Sequence, residues 1–214
     1  MFGPALWGAA ARPEDRRRLV DQLAARRVRY VVYDDSEWAD LDGVAWTDRF
    51  PEVAAYLFER YDVEKQVGQV SILRLREGPP RQRPSVIEVG RLEQRLNLPS
   101  GWYASQRVAG RSMRWMAPSA TAWLSVPAGS SAFFVEADVY PTSPRLARRL
   151  SVFVGNRRLD PIELAEHEGY TTLRFPLRPG VAPGPVTVRL EVEKPFPAAD
   201  LRRLGLMVEK LGFE

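Results

Sequence analysis

Four residues in the second half of the chain have side chains that could bind a saccharide: Trp102, Tyr103, Arg114 and Trp115. Sugar rings present C–H faces that pack on aromatic rings, while flanking polar groups bond the hydroxyls. Arg114 directly precedes Trp115, so a hydrogen-bond donor and a stacking ring stand side by side. We therefore predict these four as ligand-binding residues.

The same aromatic residues have a second interpretation that involves no ligand. Large aromatic side chains of a β-sandwich usually belong to its core, and glycines beside them serve turns or bulges. A core position is favoured for Trp115 and for Trp123. For Trp102 and Tyr103, which follow Pro99-Ser100 at a predicted strand edge, both interpretations stay open. Exposure of both rings would support binding, and burial of both would contradict it.

The chain offers little other catalytic or metal chemistry. Cysteine is absent and His167 is the only histidine, which excludes disulfides, thiolate metal sites and multi-histidine sites. No phosphate-binding or dinucleotide glycine motif occurs. Gly110-Arg111-Ser112-Met113-Arg114 matches a nucleophile elbow only in part, because its closing glycine is missing. The sequence therefore predicts no catalytic residue, no metal and no cofactor, and an enzyme would need a deep pocket with converging acidic groups.

Three charged clusters each have a functional and a structural interpretation. The acidic run from Asp34 to Asp42 fits ligation of a hard cation or a solvated loop, and we favour the loop because its spacing matches no calcium motif. Asp200, Arg202 and Arg203 fit an anion clamp or a structural ion pair, and we favour the ion pair. Arg16-Arg17-Arg18 fits a contact with anionic lipid or a solvated helix face.

Composition limits the partners of the chain. Its 214 residues are 45% hydrophobic, enough for one large domain or two small ones, and the 31 basic against 27 acidic residues give a net charge of +4. No basic cluster is interleaved with stacking aromatics, so no nucleic-acid partner is predicted. No apolar run reaches the roughly 20 residues of a membrane span, and no signal peptide is recognisable at the start.

Residues 1–77 predict a small α/β unit. Helices are predicted over 13–27 and 50–61, because a proline stands in the first turn of each and apolar residues recur at helical spacing. Strands are predicted over 29–33 and 70–76, which are rich in β-branched residues and tyrosine. Two strands make a poor sheet, so we expect either a missing upstream strand or packing on the next domain.

Residues 78–84 predict a linker, because three prolines and a glycine in seven residues hold no regular element. Beyond it, residues 85–214 predict an all-β sandwich of jelly-roll type, since short strands alternate with proline and glycine clusters. The fold class is therefore an α+β chain in two parts. The predicted strands of the second part cover 85–89, 112–116, 122–126, 132–139, 150–154, 171–175, 186–192 and 204–211.

Three segments of the first part resemble a known family. They are Arg29-Tyr30-Val31-Val32-Tyr33-Asp34, Phe50-Pro51-Glu52-Val53-Ala54-Ala55-Tyr56-Leu57 and Gln69-Val70-Ser71-Ile72-Leu73-Arg74-Leu75. They look like the soluble tail that follows the last membrane helix of bacterial polyprenyl-phosphate-sugar-dependent glycosyltransferases. These are multi-spanning enzymes related to protein mannosyltransferases and lipid A aminoarabinose transferases.

The second part is similar to a β-sandwich appended to some of these enzymes and to other bacterial cell-envelope glycan proteins. The matching residues are Gly101-Trp102-Tyr103, Gly110, Arg114-Trp115 and Arg203-Leu204-Gly205. The resemblance implies an extracytoplasmic location, tethered to the membrane in the full-length protein. It also implies two partners, which are a glycan or lipid-linked sugar and the membrane domain of the parent chain.

The catalytic acidic residues of these transferases lie in an extracytoplasmic loop between membrane helices, and nothing in this chain corresponds to that loop. The resemblance therefore implies a non-catalytic region of a membrane glycosyltransferase, whose sandwich binds or positions glycan. The alternative is a structural or protein-interaction module with no sugar binding. An exposed apolar patch of several hundred Å² on the first unit would support that alternative.

Overall fold

The computed structural model describes residues 12–34, 46–68, 70–139, 148–164, 167, 169–177, 179–197 and 203–214. These residues divide into two compact units, and the chain passes from one to the other between Gln82 and Arg83. No helix among them is long and apolar enough to cross a lipid bilayer. Most of the acidic run, from Asp35 to Asp42, lies outside the described residues, as do Asp200 and Arg202.

The first unit alternates helices and strands much as its sequence predicts. Pro13 and Pro51 each stand in the first turn of a helix, where the missing N–H would have no partner in any case. The helix predicted over 13–27 ends two residues earlier, at Ala25. Among the described residues the elements of this unit are α1 Pro13–Ala25, β1 Tyr30–Asp34, α2 Trp46–Arg49, α3 Pro51–Arg60, β2 Tyr61–Val67 and β3 Val70–Leu75.

The strands of this unit form one antiparallel sheet in the order β1-β3-β2. The third strand, β2, is not upstream as the sequence suggested but follows α3 directly. Tyr61 and Val63 alternate with charged residues in the way a strand requires. A β-bulge between Val63 and Lys65 then breaks that alternation, which is why the pattern was missed.

The proline-rich segment between the units contains no helix or strand. Arg76 and Arg81 each place a guanidinium nitrogen 2.6 Å from Asp62, which fixes the start of the segment to the first unit. Arg83 donates a hydrogen bond of 3.1 Å to the carbonyl oxygen of Val186, which fixes its end to the second unit. Each end of the segment is thus held by its own unit.

The second unit is built of strands apart from one short 3-10 helix, so its all-β character is confirmed. The strands predicted over 112–116 and 122–126 are two parts of a single strand, β6. The described elements are β4 Val86–Glu88, the 3-10 helix Leu92–Asn97, β5 Ser100–Val108, β6 Arg111–Val126, β7 Ala132–Val139, β8 Arg149–Val154, β9 Arg157–Arg158, β10 Ile162–Glu163, β11 Gly169–Pro176, β12 Gly184–Val192, β13 Phe196–Pro197, β14 Arg203–Leu204 and β15 Met207–Phe213.

Ten of these strands form one antiparallel sheet within the described residues. Its main path runs β10-β8-β12-β6-β15-β7-β11, with β4 beside β15, β5 beside β6 and β9 beside β8. β6 lies in the middle of this path and joins its two halves. Arg114 and Trp115 pair with β15, whereas residues from Ser119 onward pair with β12. Pro118 lies at the point of exchange, where a residue without an N–H is tolerated.

The change of partners along β6 curls the sheet, so that its two halves share one hydrophobic core. Val135 and Leu173 come from one half, and Val152 and Val188 come from the other; all four are buried in the same cluster. The two halves therefore face each other in a sandwich-like arrangement, and the jelly-roll connectivity stays a prediction. Because the inner faces are filled, ligand chemistry is confined to the outer faces and the edges.

Candidate functional site

The candidate site lies on the outer face of the half-sheet formed by β6, β15, β7 and β11. Tyr170 stands opposite Asp138, Asp138 opposite Met207, and Met207 opposite Trp115. Directly opposed residues of antiparallel strands point to the same face. The row therefore crosses four strands on one side of the sheet, with a tyrosine at one end and a tryptophan at the other.

A bulge in β15 adds two charges to this face. Val208 pairs with Ala137 and Lys210 pairs with Glu136, so Glu209 is an extra residue in the strand. Val208 and Leu211 are both in the core. In a regular strand, consecutive inward residues are two positions apart, but Val208 and Leu211 are three positions apart. Glu209 and Lys210, which lie between them, therefore both point outward. The bulge thus places a carboxylate and an ammonium group side by side.

A tight hairpin between β5 and β6 brings an arginine to the same place. Its two connecting residues, Ala109 and Gly110, have φ angles of 48° and 83°. Two positive φ angles in a two-residue loop define a type I′ turn, which suits the right-handed twist of the flanking strands. Arg111 follows directly, and its guanidinium donates a 2.9 Å hydrogen bond to Glu209 Oε2. The same guanidinium lies 3.8 Å from the centroid of the Tyr170 ring.

Tyr170 connects these groups into one network. Its side chain is among the few large apolar ones that are exposed, at 39%. Its hydroxyl lies 3.1 Å from Glu136 Oε2 and also contacts Glu209, so two carboxylates share one hydrogen. Lys210 Nζ lies 4.0 Å from the other oxygen of Glu136. The network therefore links five outward side chains, which are Arg111, Tyr170, Glu136, Glu209 and Lys210.

The ionisation of the network follows from these contacts. Burial raises the pKa of Tyr170, and its hydrogen bonds to Glu209 and Glu136 raise it further. Burial also acts to raise the pKa of Glu209, but hydrogen bonds from Tyr170 and Arg111 outweigh it and leave that pKa lowered. At neutral pH the network therefore holds a protonated phenol beside an ionised carboxylate.

Four side chains of the network line a surface groove of about 380 Å³, namely Arg111, Glu136, Glu209 and Lys210, and Tyr170 stands beside them. Of the described residues that line it, three are acidic and three are basic, so the groove has no excess of either sign. The lining residues are Glu88, Arg91, Gly110, Arg111, Ser112, Glu136, Glu209 and Lys210. Sugar hydroxyls both donate and accept hydrogen bonds, so a ligand with many hydroxyls matches this mixture better than an anion does.

Two of the four residues predicted from the sequence lie inside the fold, and Trp102 is the first. Its side chain is 5% exposed, and its indole N–H donates a 2.7 Å hydrogen bond to the carbonyl oxygen of Thr121. Gly101 beside it has a φ of +77°, and a Cβ there would lie 2.1 Å from the carbonyl oxygen of Ser119. The glycine therefore serves a close approach of β5 to β6, and the tryptophan fills the core.

Arg114 is the second interior residue. Its guanidinium donates hydrogen bonds to the carbonyl oxygens of Val89, at 2.8 Å, and Tyr103, at 3.0 Å. Burial, together with the nearby charge of Arg95, lowers the pKa of Arg114 to about 10. The group remains charged at neutral pH, and it links β5 and the end of β4 to β6. It presents no surface to solvent.

The other two predicted residues, Tyr103 and Trp115, are half-buried. Trp115 belongs to the outer row described above, so the structure brings it to the same face as Tyr170 but does not bring Trp102 or Arg114 there. Trp123, for which a core position was favoured, is also half-buried. It lies between core residues in β6, and Arg83 lies 5.3 Å from the centroid of its ring.

Gly205, the last residue of the Arg203-Leu204-Gly205 motif, is held by two hydrogen bonds to its backbone groups within the second unit. The amide of Gly205 donates a 2.8 Å hydrogen bond to the carbonyl oxygen of Met116. The buried Arg148 donates a 2.6 Å hydrogen bond to the carbonyl oxygen of Gly205. These contacts join the chain before β15 to the middle of β6, and they leave Leu204 buried.

In the sequence, Gly110-Arg111-Ser112 stands out only as part of an incomplete nucleophile elbow, and the other residues that line the groove do not stand out. The sequence feature that could have indicated these residues is a charged, outward-facing residue within an apolar strand. Glu136, which stands between two core residues of β7, is an example. That feature gives the face of a residue but not its neighbours. Arg111 and Glu209 are 98 positions apart, and only the sheet register brings them together.

No family model matches this chain, and no curated protein sequence matches it. Among solved structures, it shows a likeness to a family 35 carbohydrate-binding module from an environmental isolate. That likeness has 15% identity and a TM-score of 0.32, over 53% of this chain and 86% of the other. A second likeness is to the CBM51-2 and INT domains of Clostridium perfringens ZmpB, with 11% identity and a TM-score of 0.25, over 47% of this chain and 22% of the other.

These likenesses are distant. Both solved structures contain carbohydrate-binding modules, but TM-scores this low do not establish a shared fold. The groove must therefore be judged on its own chemistry.

Proposed function

We propose that the second unit is a non-catalytic saccharide-binding module, and that its binding site is the groove between the β5–β6 hairpin and the bulge of β15. The observation that supports this most directly is an exposed ring, Tyr170, set beside a charge-balanced group of carboxylates and cations. Arg111 lies over this ring, so the C–H groups of a sugar pack on the part of the ring that Arg111 leaves open. Neighbouring hydroxyls then bridge from a carboxylate to a cation.

The charge balance of the groove favours a neutral saccharide. Glu209 is already bonded to Arg111 and Tyr170, so it offers its remaining lone pairs to hydroxyl donors. Arg111 and Lys210 offer their remaining N–H groups to hydroxyl acceptors. A strongly anionic glycan would meet three carboxylates at this site, and like charges in contact oppose binding. We therefore expect neutral hexoses to bind better than uronates or sulfated sugars.

Trp115 and Tyr103 keep a place in this proposal, whereas Trp102 and Arg114 support the frame. Trp115 lies on the outer face in the same row as Tyr170, so a ligand longer than one sugar ring would extend toward it. Tyr103 is half-buried on the strand that leads into the hairpin. Both residues therefore stay predicted ligand contacts of the second rank.

The ionisation of Glu209 bears on whether this carboxyl could serve as the acid of a glycosidase. Glycosidases use two carboxyl groups, one of which must keep a proton at neutral pH and therefore needs a raised pKa. Glu136 and Glu209 both contact the Tyr170 hydroxyl and so lie near each other. The pKa of Glu209, however, is lowered by its hydrogen bonds, so it is poorly suited to donate a proton.

The resemblance to glycosyltransferase tails adds a finer proposal. In it, the module belongs to an extracytoplasmic, membrane-tethered enzyme and positions a glycan or a lipid-linked sugar near the parent's membrane domain. Its support is the set of short motifs in the sequence, and neither the fold nor the groove bears on it. The full-length gene tests it, because membrane helices encoded in the same polypeptide are required.

A matched pair of arginines tests the groove. Arg111 and Arg189 lie on outer faces of opposite halves of the sheet, each beside an aromatic ring, at 3.8 Å and 4.3 Å from the ring centroid. Each also forms an ion pair with a glutamate. We expect Arg111→Ala to weaken saccharide binding at least about tenfold, the loss of one charge-assisted hydrogen bond, and Arg189→Ala to leave it unchanged.

The measurement is a glycan array of neutral and acidic saccharides, followed by calorimetry on the best ligand. Both variants are first compared with the unaltered protein by circular dichroism. Binding that survives Arg111→Ala but is lost in Arg189→Ala would move the site to the other face. A folded protein that binds no saccharide on the array would overturn the function itself.

A further inference from the structure

The outer face of the three-stranded sheet in the first unit carries an unusual apolar surface. Tyr30 is 45% exposed, Val32 72% and Val67 60%, and these are three of the four large hydrophobic side chains exposed among the described residues. Val32 stands opposite Ile72 of β3, so the apolar surface continues inward from the edge. The first unit thus exposes apolar side chains of the kind through which an interaction module binds its partner.

β1 forms one edge of that sheet, and within the described part of the chain no strand pairs with its other side. The amide of Leu75 donates to the carbonyl oxygen of Arg29 at 2.9 Å, so Arg29 directs its backbone groups toward β3. Backbone groups alternate between the two sides of an antiparallel strand. Tyr30 and Val32 therefore direct their N–H and C=O groups away from the sheet, where a further strand would bind.

The two edges of the sheet are not alike. β2, at the opposite edge, is interrupted by a bulge, and its exposed side chains there are Glu64 and Lys65. Bulges and charges, lysine above all, are the features by which natural sheet edges resist pairing with another strand. β1 has neither over Tyr30 to Tyr33, and its register with β3 is regular over all five residues. β1 is therefore the edge open to strand addition.

We propose that β1 pairs antiparallel with β1 of a second copy of this chain, which joins two three-stranded sheets across a two-fold axis. Val31 lies on the axis, opposite Val31 of the second copy. Tyr30 then stands opposite Val32 of the second copy, and Val32 opposite its Tyr30. Each exposed side chain of one copy is thereby covered by an exposed side chain of the other.

Three features favour a second copy as the occupant. An aromatic ring beside a β-branched residue is a stabilising cross-strand pair, and the two-fold axis forms this pair twice from one short strand. In the same register the paired backbone groups are those of Tyr30 and Val32, which point outward. Arg29 precedes the strand and Asp34 ends it, so antiparallel pairing places the positive end of one strand beside the negative end of the other, with Arg29 one position from Asp34 of the second copy, whereas parallel pairing would place like charges opposite each other.

The contact is small, and this determines how it behaves. One short edge strand and the side chains on its outer face bury less than the roughly 1,200 Å² of a stable complex. The dimer therefore forms at high protein concentration and dissociates on dilution. It involves none of the residues of the groove, so it is independent of the proposed saccharide binding.

A lysine at the open edge tests the proposal against a matched control. Val32→Lys and Val67→Lys each place a lysine at an exposed valine, the first on β1 and the second on β2. We expect Val32→Lys to weaken association at least about tenfold in analytical ultracentrifugation over a wide range of concentrations, because it removes both Tyr30–Val32 pairs and places a lysine on the open edge. We expect Val67→Lys to associate like the unaltered protein. An unaltered protein that is monomeric throughout, or equal weakening by both lysines, would overturn the proposal.

Cysteine substitutions test the register, and the chain contains no cysteine of its own. Val31 directs its backbone groups toward β3, so two Val31 residues on the axis form a non-hydrogen-bonded pair with Cα atoms about 4.5 Å apart. That separation suits a disulfide. We expect Val31→Cys to form a disulfide-linked dimer under mild oxidation well before Val67→Cys does. Faster cross-linking of Val32→Cys than of Val31→Cys would overturn the register, and with it the pairing proposed here.

Discussion

Replacing Trp102 with phenylalanine should destabilise the second unit by about 2–4 kcal/mol. The substitution removes the indole N–H, so the carbonyl oxygen of Thr121 loses the donor that now lies at 2.7 Å. A buried acceptor left without a partner costs about 1–3 kcal/mol. The smaller ring also leaves a void, which costs about 1 kcal/mol at roughly 24 cal/mol per Å³. The sum corresponds to a fall in Tm of roughly 10 °C.

Thermal and urea unfolding followed by circular dichroism measure this change, and Tyr170→Phe is the control. Both substitutions remove one polar hydrogen from an aromatic side chain, but the Tyr170 hydroxyl is near solvent, so its loss should cost less than about 1 kcal/mol. Saccharide binding separates the two explanations for Trp102. If Trp102→Phe leaves stability within about 0.5 kcal/mol of the unaltered protein and abolishes binding, the ring contacts ligand and the reasoning is refuted.

The remaining predictions concern a glycine and an ionisation. Gly101→Ala should destabilise the second unit in urea unfolding by more than about 3 kcal/mol, because its Cβ would lie 2.1 Å from a backbone oxygen. The control is Gly129→Ala, which is also at positive φ but in open space, and it should destabilise the unit by about 1 kcal/mol. The pKa of the Glu209 carboxyl, measured by NMR titration, should lie below the usual value of about 4.3 for glutamate. Arg111→Ala should raise this pKa. Its contribution to stability is present above the unfolded pKa and is lost as the pH falls through the lowered folded pKa.

An equal cost at Gly101 and Gly129 would contradict the close approach of β5 to β6. A Glu209 midpoint at or above the usual value would contradict the hydrogen bonds drawn to it.

Much of the fold could be predicted because strands and helices leave local patterns. β7 has the bounds that its alternation predicted, Ala132–Val139, since every second residue is apolar and turn residues precede it. The helices of the first unit were predicted from proline in the first turn and apolar residues at helical spacing. Information of this kind lies within about ten residues of sequence, and one chain is enough to read it.

The features that the sequence did not predict have a common cause. Each depends on a contact between residues that are far apart in the chain. The sequence predicted separate strands over 112–116 and 122–126, yet β6 is continuous through Pro118, because β15 binds it before the proline and β12 binds it beyond. The groove depends on the register of four strands and on a bulge in β15. Nothing in the local sequence of Arg111 indicates Tyr170 as its neighbour.

The Gly101-Trp102 motif was predicted to bind a ligand, but in the structure it serves the packing of the core. Gly101-Trp102 stands out because glycine is required where two strands meet closely and because tryptophan fills the core beside it. Those are requirements of folding, and they are stronger than the requirements of a surface groove. A saccharide site tolerates several arrangements of charge and hydroxyl groups, so it leaves a weaker pattern in one sequence.

The position of β15 bears on how this protein is made in the cell. β15 comes last among the described strands but lies between β6 and β7, and it also pairs with β4. Until the ribosome has released these residues, β6 and β7 have no partner on their facing sides, and open strand edges are where unfinished chains associate wrongly. Synthesis of the second unit therefore passes through a long interval in which its sheet cannot close, and slow translation or a shortage of chaperones during that interval should reduce the yield of folded protein.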